Sequence, residues 1–288
     1  MQLDIAPVLL ALAHVALGVV ALIIAKLLKD WLSPYGVDRE LTSRDNPAFG
    51  LAIAGYYAAV VIIFIGAARS AGPLPLDAGS TAAIQALGID LAWAVVGTLA
   101  LNVSRTVMDR LLVASCCQSA EVIGKQNTAA GAVEGCVYIA TGLVIAGSIR
   151  QVGGTVATTA AFFVLSQLTL LLFGRLYQRL AGYNAAHEIQ SANLAAGVPL
   201  GMTLVAIALL MMKATSGEFV DWITNLSYFA FDAVAGFPLL LALRWLADLA
   251  LLPNARIADE IVRDRNVSVG LVEGTLAVGI AAIVLFVF

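Results

Sequence analysis

The chain has 288 residues, of which 61% are hydrophobic and 12% charged, with a mean hydropathy of +0.93 and a net charge of −3. Soluble globular domains carry about 25% charged residues, so this chain has too little polar surface for a fold that faces water. The composition excludes a soluble enzyme and a disordered protein, and the lack of a basic run excludes a nucleic-acid binder. A lipid bilayer is the expected surroundings.

Eight apolar runs follow one another along the chain, each close to the roughly 20 residues that a helix needs to cross a bilayer core. They lie at 7–28, 47–68, 83–103, 129–149, 152–173, 194–214, 222–246 and 267–288. The sequence therefore predicts an all-α, polytopic membrane protein with eight transmembrane helices. Since the first charge is Asp4 and no basic residue precedes the first run, we interpret that run as a retained span and not as a signal peptide.

The basic residues are distributed unevenly between the two sides of the predicted bundle. Thirteen of the 16 Lys and Arg residues lie in or beside the loops after spans one, three, five and seven. The other three, on the opposite side, are Arg69, Arg150 and Lys213. Because basic loops stay in the cytoplasm, the long loops are predicted to be cytoplasmic and the N- and C-termini outside.

One signature closes each of the four cytoplasmic loops: Glu, then Leu, Val or Ile, then an Asn five or six residues after the Glu, then a Gly four residues later. The Asn and Gly pairs are Asn46 and Gly50, Asn127 and Gly131, Asn193 and Gly197, and Asn266 and Gly270. Asn is a preferred N-cap, and a small residue one turn further lets a neighbouring helix approach closely. The signature predicts four parallel two-helix repeats about an axis along the membrane normal, in an approximately fourfold arrangement.

The second and fourth copies share a feature that the other two lack. Glu134 and Glu273 each lie seven residues after the capping Asn, inside Gly-x-x-Glu-Gly, where the other copies have apolar residues. The chain therefore divides into two four-span units, 1–151 and 152–288. A carboxylate at this depth is costly in a bilayer and typically faces protein or a water-filled cavity.

Two further acids lie within predicted spans, Asp90 and Asp232, and they do not align with each other in the repeat. No Lys or Arg within the spans is expected to balance these two acids, Glu134 or Glu273. One interpretation is a pathway for a cation or proton that the four carboxylates line. The other is that each carboxyl group is protonated or hydrogen-bonded to a neighbouring helix and only fixes packing.

The sequence offers no support for catalysis. It has no metal-ligand spacing, no nucleophile motif and no phosphate loop, so we expect no catalytic residues, no metal site and no cofactor. Its three cysteines, Cys116, Cys117 and Cys136, fit small packing residues better than a disulfide, because adjacent cysteines rarely meet disulfide geometry.

The segments from Asn46 to Gly55 and from Glu260 to Gly274 resemble the YjfL-type family of bacterial inner-membrane proteins, domain of unknown function 350. Typical members of that family have one four-span unit, so the resemblance implies two units in tandem over essentially the whole chain. It also implies an inner-membrane location and makes a polyamine link conceivable, but it brings no established activity.

Two functions are compatible with these patterns. The first is a transport or channel-type protein for a small cation or proton, with Glu134 and Glu273 as main pathway carboxylates and Asp90 and Asp232 as secondary ones. The second is a non-catalytic scaffold whose amphipathic cytoplasmic loops recruit a protein partner or act on lipid. Four helix N-termini at the cytoplasmic mouth would repel cations, so an anion-binding vestibule is the converse of the first function. An oligomer is compatible with each.

Overall fold

The computed structural model describes residues 5–70, 80–112, 120–251 and 256–287. Its ten α-helices are α1 Ile5–Leu32, α2 Pro47–Ser70, α3 Ser80–Leu111, α4 Thr128–Ile149, α5 Val156–Leu180, α6 Ala185–Gln190, α7 Leu194–Thr215, α8 Trp222–Leu251, α9 Ile257–Val262 and α10 Val267–Val287. Two π-helical segments, Arg39–Ser43 and Ala120–Gly124, and two short strands, β1 Gln151–Val152 and β2 Gly217–Glu218, complete these ranges. Cys116 and Cys117 lie outside the described residues.

Eight of these helices are long and apolar enough to cross a bilayer, which confirms the predicted all-α polytopic membrane fold. Two of them differ in extent from the predicted spans. Helix α3 continues to Leu111, two turns beyond the prediction, so its last charged residues belong to a transmembrane helix. Helix α5 begins only at Val156, because Gln151 and Val152 pair in parallel with Gly217 and Glu218 at the turn between the halves.

The core is a row of four inner helices in the order α2, α4, α7 and α10, each packed along the next. Helices α1, α3, α5 and α8 pack against this row. Burial follows from position: 83% of the most apolar window of α4 lies inside the protein, compared with 33% for α10 at the end of the row. All four inner helices begin with the signature asparagine, so the repeat builds the core.

The four asparagines lie at the same end of their helices, and we call this end of the bundle the capped end. Asn127 shows the arrangement: its side-chain oxygen accepts hydrogen bonds from the backbone N–H groups of Ala129 and Ala130, at 3.0 and 3.2 Å. Its side-chain nitrogen donates to the Glu121 carboxylate and, at 2.7 Å, to the backbone carbonyl of Ile189 in the next copy. One side chain therefore caps its own helix and joins it to the following repeat.

The glutamate of each signature is bonded to the asparagine of the same copy. The asparagine amide nitrogen donates to a glutamate oxygen in all four copies, at distances of 2.8 to 3.3 Å, and the asparagine backbone N–H donates to the glutamate carbonyl. At Glu121, outside the spans, a hydrogen bond from Lys125 lowers the pKa of the carboxyl group. The residue before each asparagine has a positive φ, and these residues are Asp45, Gln126, Ala192 and Arg265.

Glycine allows the inner helices to touch at the backbone. A Cβ atom on Gly131 would lie 2.2 Å from the carbonyl oxygen of Ala48, and one on Gly55 would lie 2.2 Å from the carbonyl oxygen of Gly135. No side chain fits at such separations, so the backbones of α2 and α4 are in contact, as small residues permit between membrane helices.

The inner helices form an open row, which corrects the expected fourfold arrangement. Helix α10 packs against α7, α8 and α9, and α2 packs against α1, α3 and α4, so the two ends of the row do not close on each other as neighbouring copies do. Around Gly50 of α2 there is nothing within 4 Å of a would-be Cβ atom, whereas the equivalent Gly131 meets backbone. The inner helices therefore follow one another in chain order, each packed on the one before it.

Replacing Asn127 by Ala is expected to destabilise the protein more than replacing Asn266 by Ala. Both changes remove a helix cap, worth about 1 kcal/mol. Of these two, only Asn127 donates to a neighbouring repeat of the same chain, so its loss leaves the buried Ile189 carbonyl without that bond, for about 1 kcal/mol more. Thermal unfolding in detergent measures the difference, and equal shifts in the two variants would argue against a role of the inter-repeat bond in stability.

Candidate functional site

Copies two and four each carry one glutamate within an inner helix, Glu134 and Glu273. Both residues are buried, and each is 4% exposed. Each lies about two turns from the capped end, flanked by glycines that pack on the preceding helix: Gly135 against Leu51 of α2, and Gly274 against Met202 of α7. The close approach of the backbones leaves the glutamates surrounded by protein.

Glu134 forms a buried ion pair with Arg105 of α3. The distance between Arg105 Nε and Glu134 Oε1 is 2.8 Å, and the same nitrogen lies 3.4 Å from Asp109 Oδ2. The expectation that no Lys or Arg within the spans balances the acids is therefore wrong for Glu134. The reason is the length of α3, which carries Arg105 and Asp109 inside the bundle instead of in a loop.

A lysine from the first helix completes this cluster. Lys29 is 3% exposed, and its ammonium donates to the hydroxyl of Tyr138 at 2.6 Å. The ammonium also lies 5.3 and 5.0 Å from the ring centres of Tyr56 and Tyr138, within the range of cation–π attraction. We call Lys29, Arg105, Asp109, Glu134 and Tyr138 the first-half cluster. In their ionised forms its two cations balance its two carboxylates.

In the second half, the residues around the corresponding glutamate, Glu273, are different. The Tyr177 hydroxyl lies 3.5 Å from Glu273 Oε1, and Tyr177 precedes Glu188 by the same 11 residues that separate Lys29 from Glu40. A tyrosine therefore stands where the first half has a lysine. Glu273 also lines a cavity of about 220 Å³ together with Tyr183 and Trp245. In the second half the glutamate therefore lies beside a cavity lined by aromatic side chains, whereas in the first half it lies beside a hydrogen-bonded lysine and tyrosine.

The two remaining predicted acids lie apart from the glutamates. Asp90 of α3 is 2% exposed, and its carboxylate is 3.4 Å from Nε2 of His14 in α1. Asp232 of α8 accepts a hydrogen bond from Lys213 of α7 at 2.9 Å. The expected absence of a balancing Lys or Arg is therefore wrong for Asp232 as well. The structure places the four acids at separate locations, each with its own partner, and does not align them along a single path.

A larger cavity, of about 810 Å³, lies at the end of the bundle opposite the capped end. Arg69, Arg150 and Lys213, the three basic residues predicted for that side, line it together with Asp232. The rest of its wall comes from the ends of α2, α4, α7 and α10, from β2 and from the start of α8, and it includes Glu218, Asn225 and Tyr228 besides aliphatic side chains. The cavity thus joins both halves of the chain. Among the residues described, no group of three His, Cys, Asp or Glu side chains could hold a metal ion.

Sequence reasoning missed Lys29, Arg105 and Tyr138 as members of a site, because it assigned the two cations to interfaces and loops. A signal for the arginine is nevertheless present: Arg105 precedes Glu134 by 29 residues, and Arg244 precedes Glu273 by the same number. Asp109 and Asp248 keep the same register, each four residues after its arginine. The side chains of Arg244 and Asp248 are outside the described part of the structure.

Comparison with protein families gives two matches to one family model, described as Domain of Unknown Function (DUF350), over residues 3–149 and 151–288. The two matched segments are consecutive and together span nearly the whole chain. Comparison with curated proteins gives no match, and comparison with solved structures gives none either.

Proposed function

The chain belongs to the family of Domain of Unknown Function 350, of which it carries two tandem units, and from this premise we propose that it is a transport or channel-type protein for a proton or small cation. The observation that carries the proposal is the pair of buried glutamates, Glu134 and Glu273, at equivalent positions of the two units. Ionisable groups inside membrane helices are costly and commonly mark ion pathways or proton relays.

In the first unit, the proposal assigns Glu134 the part of an exchangeable carboxylate. Arg105 lies within ion-pair distance of both Glu134 and Asp109, so it can keep one carboxylate partner while the other binds a proton. In surroundings of low dielectric constant, such a change of partner alters the electrostatic energy of the cluster strongly. Lys29, which donates a hydrogen bond to Tyr138, supplies the second positive charge of the cluster.

In the second unit, Glu273 is the carboxylate that a cation would reach from the 220 Å³ cavity. Tyr183 and Trp245 line that cavity, and aromatic faces attract cations that have lost part of their water. This chemistry suits a small inorganic cation or an organic ammonium group, a polyamine included. Asp90 and Asp232 are secondary groups in the proposal, one beside His14 and the other at the opposite, 810 Å³ cavity.

The proposal includes an orientation and a location. We place the capped end in the cytoplasm and both termini outside, because thirteen of the 16 basic residues lie towards that end, in its loops or in about the last two turns of the helices that lead into them. The bacterial inner membrane is the proposed location, and the proposed activity involves no enzymatic step and no cofactor.

The alternative function, a membrane scaffold, is favoured by the charge balance of the first-half cluster. A carboxylate paired with Arg105 at 2.8 Å needs no transported ion to explain its burial. Under this alternative, the charged surface of the short helices at the capped end, which includes the exposed Arg263 and Asp264 pair, would bind a cytoplasmic protein partner or lipid headgroups.

Proton flux into liposomes tests the proposed function. Purified protein is reconstituted with a pH-sensitive dye inside, and a membrane potential is imposed with potassium and valinomycin. We expect wild-type flux above that of empty liposomes and a loss of at least about tenfold in the Glu134→Gln and Glu273→Gln variants, because the amide cannot take up a proton. Asp264→Asn, on the surface, is the matched control and keeps wild-type flux.

A second flux measurement without valinomycin, with labelled rubidium or a labelled polyamine as the driven ion, distinguishes protons from other cations. Background flux of the wild type for every ion would contradict the transport proposal and favour the scaffold. Wild-type flux in both Gln variants would remove the two glutamates from the pathway. Size-exclusion profiles of the variants show whether each is folded.

A further inference from the structure

Three interfaces between consecutive inner helices repeat one geometry. A Cβ atom on the glycine four residues after the cap would lie 2.2 Å from the Ala48 carbonyl oxygen for Gly131, 2.8 Å from that of Ala129 for Gly197, and 2.6 Å from that of Ala195 for Gly270. In each case the carbonyl belongs to the residue two after the cap of the preceding helix. We call the face that carries this glycine the rear face of a helix, and the face that carries this carbonyl its forward face. The rear face of each inner helix therefore packs on the forward face of the inner helix before it.

Hydrogen bonds repeat in the same register. The side chains of Asn46, Asn127 and Asn193 donate to backbone carbonyls of the next copy, at 3.0, 2.7 and 2.8 Å. Each acceptor is the residue directly after the signature glutamate: Val122, Ile189 and Ile261. The side-chain nitrogen of the fourth asparagine, Asn266, donates to Glu260 of its own copy.

The two outer members of the row, α2 and α10, each have one face of this kind that packs against no other inner helix. On α10, the forward face is exposed: Val272 is 42% exposed, whereas Val133 and Ala52, its equivalents in the copies before it, are 0% and 2% exposed. Ser268 and Thr275 on the same face are also exposed, and nothing lies within 4 Å of a would-be Cβ on Gly279.

On α2, the rear face is open in the same way. Nothing lies within 4 Å of a would-be Cβ on Gly50, and Ala54 is exposed, whereas Gly131 and Gly135 at these positions of α4 are buried against α2. Leu41, the residue that corresponds to the three carbonyl acceptors, lies at this end and is 36% exposed. These two faces therefore carry the two complementary sides of an interface that the molecule already contains three times.

We propose that molecules of this protein associate head to tail in the membrane. The rear face of α2 of one molecule packs on the forward face of α10 of the next molecule. In this contact Gly50 of one molecule packs on the backbone at Ser268 of the other, and the Asn266 side chain donates a hydrogen bond to the Leu41 carbonyl across the same boundary. The inner row then continues without a change of geometry across the boundary between chains.

The physical basis is the same as within the chain. In lipid, helices associate through close packing of small residues and interhelical hydrogen bonds, since burial of apolar surface gives no advantage over lipid contact. The exposed forward face of α10 has Ser, Thr and Gly at the register positions, unlike the Leu-rich exposed surface of α5, with Leu168, Leu172 and Leu176. A head-to-tail contact is heterologous, so it closes into a ring or continues as an open filament.

Cysteine cross-linking in membranes tests this contact. Inside the chain, a Cβ on Gly201 of α7 would lie 2.8 Å from the Cβ of Cys136 of α4, eight and nine residues after their caps. Ala54 and Thr275 are the corresponding positions on the two open faces. We expect Ala54→Cys/Thr275→Cys, in a background without the native cysteines, to give disulfide-linked dimers and larger species on oxidation with copper–phenanthroline.

Matched variants make the result specific. Ala54→Cys/Leu172→Cys, with the second cysteine on the exposed surface of α5, should cross-link at least about tenfold less. Adding Gly50→Leu to the Ala54→Cys/Thr275→Cys pair should abolish cross-linking without lowering the unfolding temperature, because that position has free space in one chain. Mass photometry of the uncrosslinked protein should show the corresponding change from oligomer to monomer.

Three results would overturn the proposal. One is cross-linking of the Ala54→Cys/Thr275→Cys variant no higher than that of the Leu172 control, which would leave the open faces to lipid. The second is cross-linking by Thr275→Cys alone at the level of the pair, which indicates a two-fold contact between α10 helices. The third is unchanged cross-linking in the presence of Gly50→Leu.

Discussion

Exchanging Arg105 for Met should lower the unfolding temperature of the protein in detergent by about 10 °C. The change leaves Glu134 buried in the bundle without the guanidinium that lies 2.8 Å away, and leaves Asp109 without its partner at 3.4 Å. Removing one member of a buried pair costs about 3–5 kcal/mol, because the remaining charge is not compensated. Scanning fluorimetry with a thiol-reactive or intrinsic probe measures the shift.

The double variant Arg105→Met/Glu134→Met should recover most of that loss, since it removes both charges and fills a similar volume with apolar atoms. Lys213→Met is the matched control. Its partner Asp232 and Lys213 itself are both 23% exposed, so water screens the pair and the expected cost is about 1 kcal/mol or less. Equal shifts for Arg105→Met and Lys213→Met would mean that the first-half cluster is hydrated, contrary to its packing.

Gly131→Ala is the second substitution for which we expect a large effect, about 2–3 kcal/mol of destabilisation or failure to fold. The added methyl group would meet the carbonyl oxygen of Ala48 at 2.2 Å, so α2 and α4 must separate along a contact that both need. Overpacking of a tight core typically has a cost of this size. The readouts are the yield of monodisperse protein and its unfolding temperature.

Gly88→Ala provides the control for this prediction. Gly88 lies in α3, where nothing is within 4 Å of a would-be Cβ, so the same change adds no clash and gains helix propensity of up to about 1 kcal/mol. The two variants should therefore shift the unfolding temperature in opposite directions. A Gly131→Ala protein as stable as wild type would contradict the backbone contact between α2 and α4.

The local part of this structure could be predicted from the sequence because its causes are local. A side-chain oxygen one residue before a helix bonds the first-turn N–H groups, so the Asn–Gly spacing predicts both a helix start and a close approach without knowledge of the neighbours. The apolar runs predict the spans for the same reason. The positive φ at Gln126 and Ala192 has no comparable signal, because glycine, the usual marker of that conformation, is absent there.

The arrangement of the site depended on information that a single span does not contain. Arg105 lies after the apolar run of the third span, and a count of apolar residues ends that span before the arginine. Only the packing of α3 on α4 brings its side chain to Glu134, 29 residues later. Likewise, a parallel repeat is compatible with both a closed and an open arrangement, and the displacement between successive copies decides between them.

The inner row has a consequence for how such proteins change over evolutionary time. Within the described residues, each asparagine bridge and each close glycine contact of the inner row links one helix to its immediate neighbour, so these contacts do not fix the number of helices in the row. Repeat proteins built in this way gain or lose whole units with little disturbance of the remaining ones. Gene duplication can therefore lengthen this membrane array by one two-helix repeat at a time. Each added inner helix would carry the same contact residues as the inner helix before it.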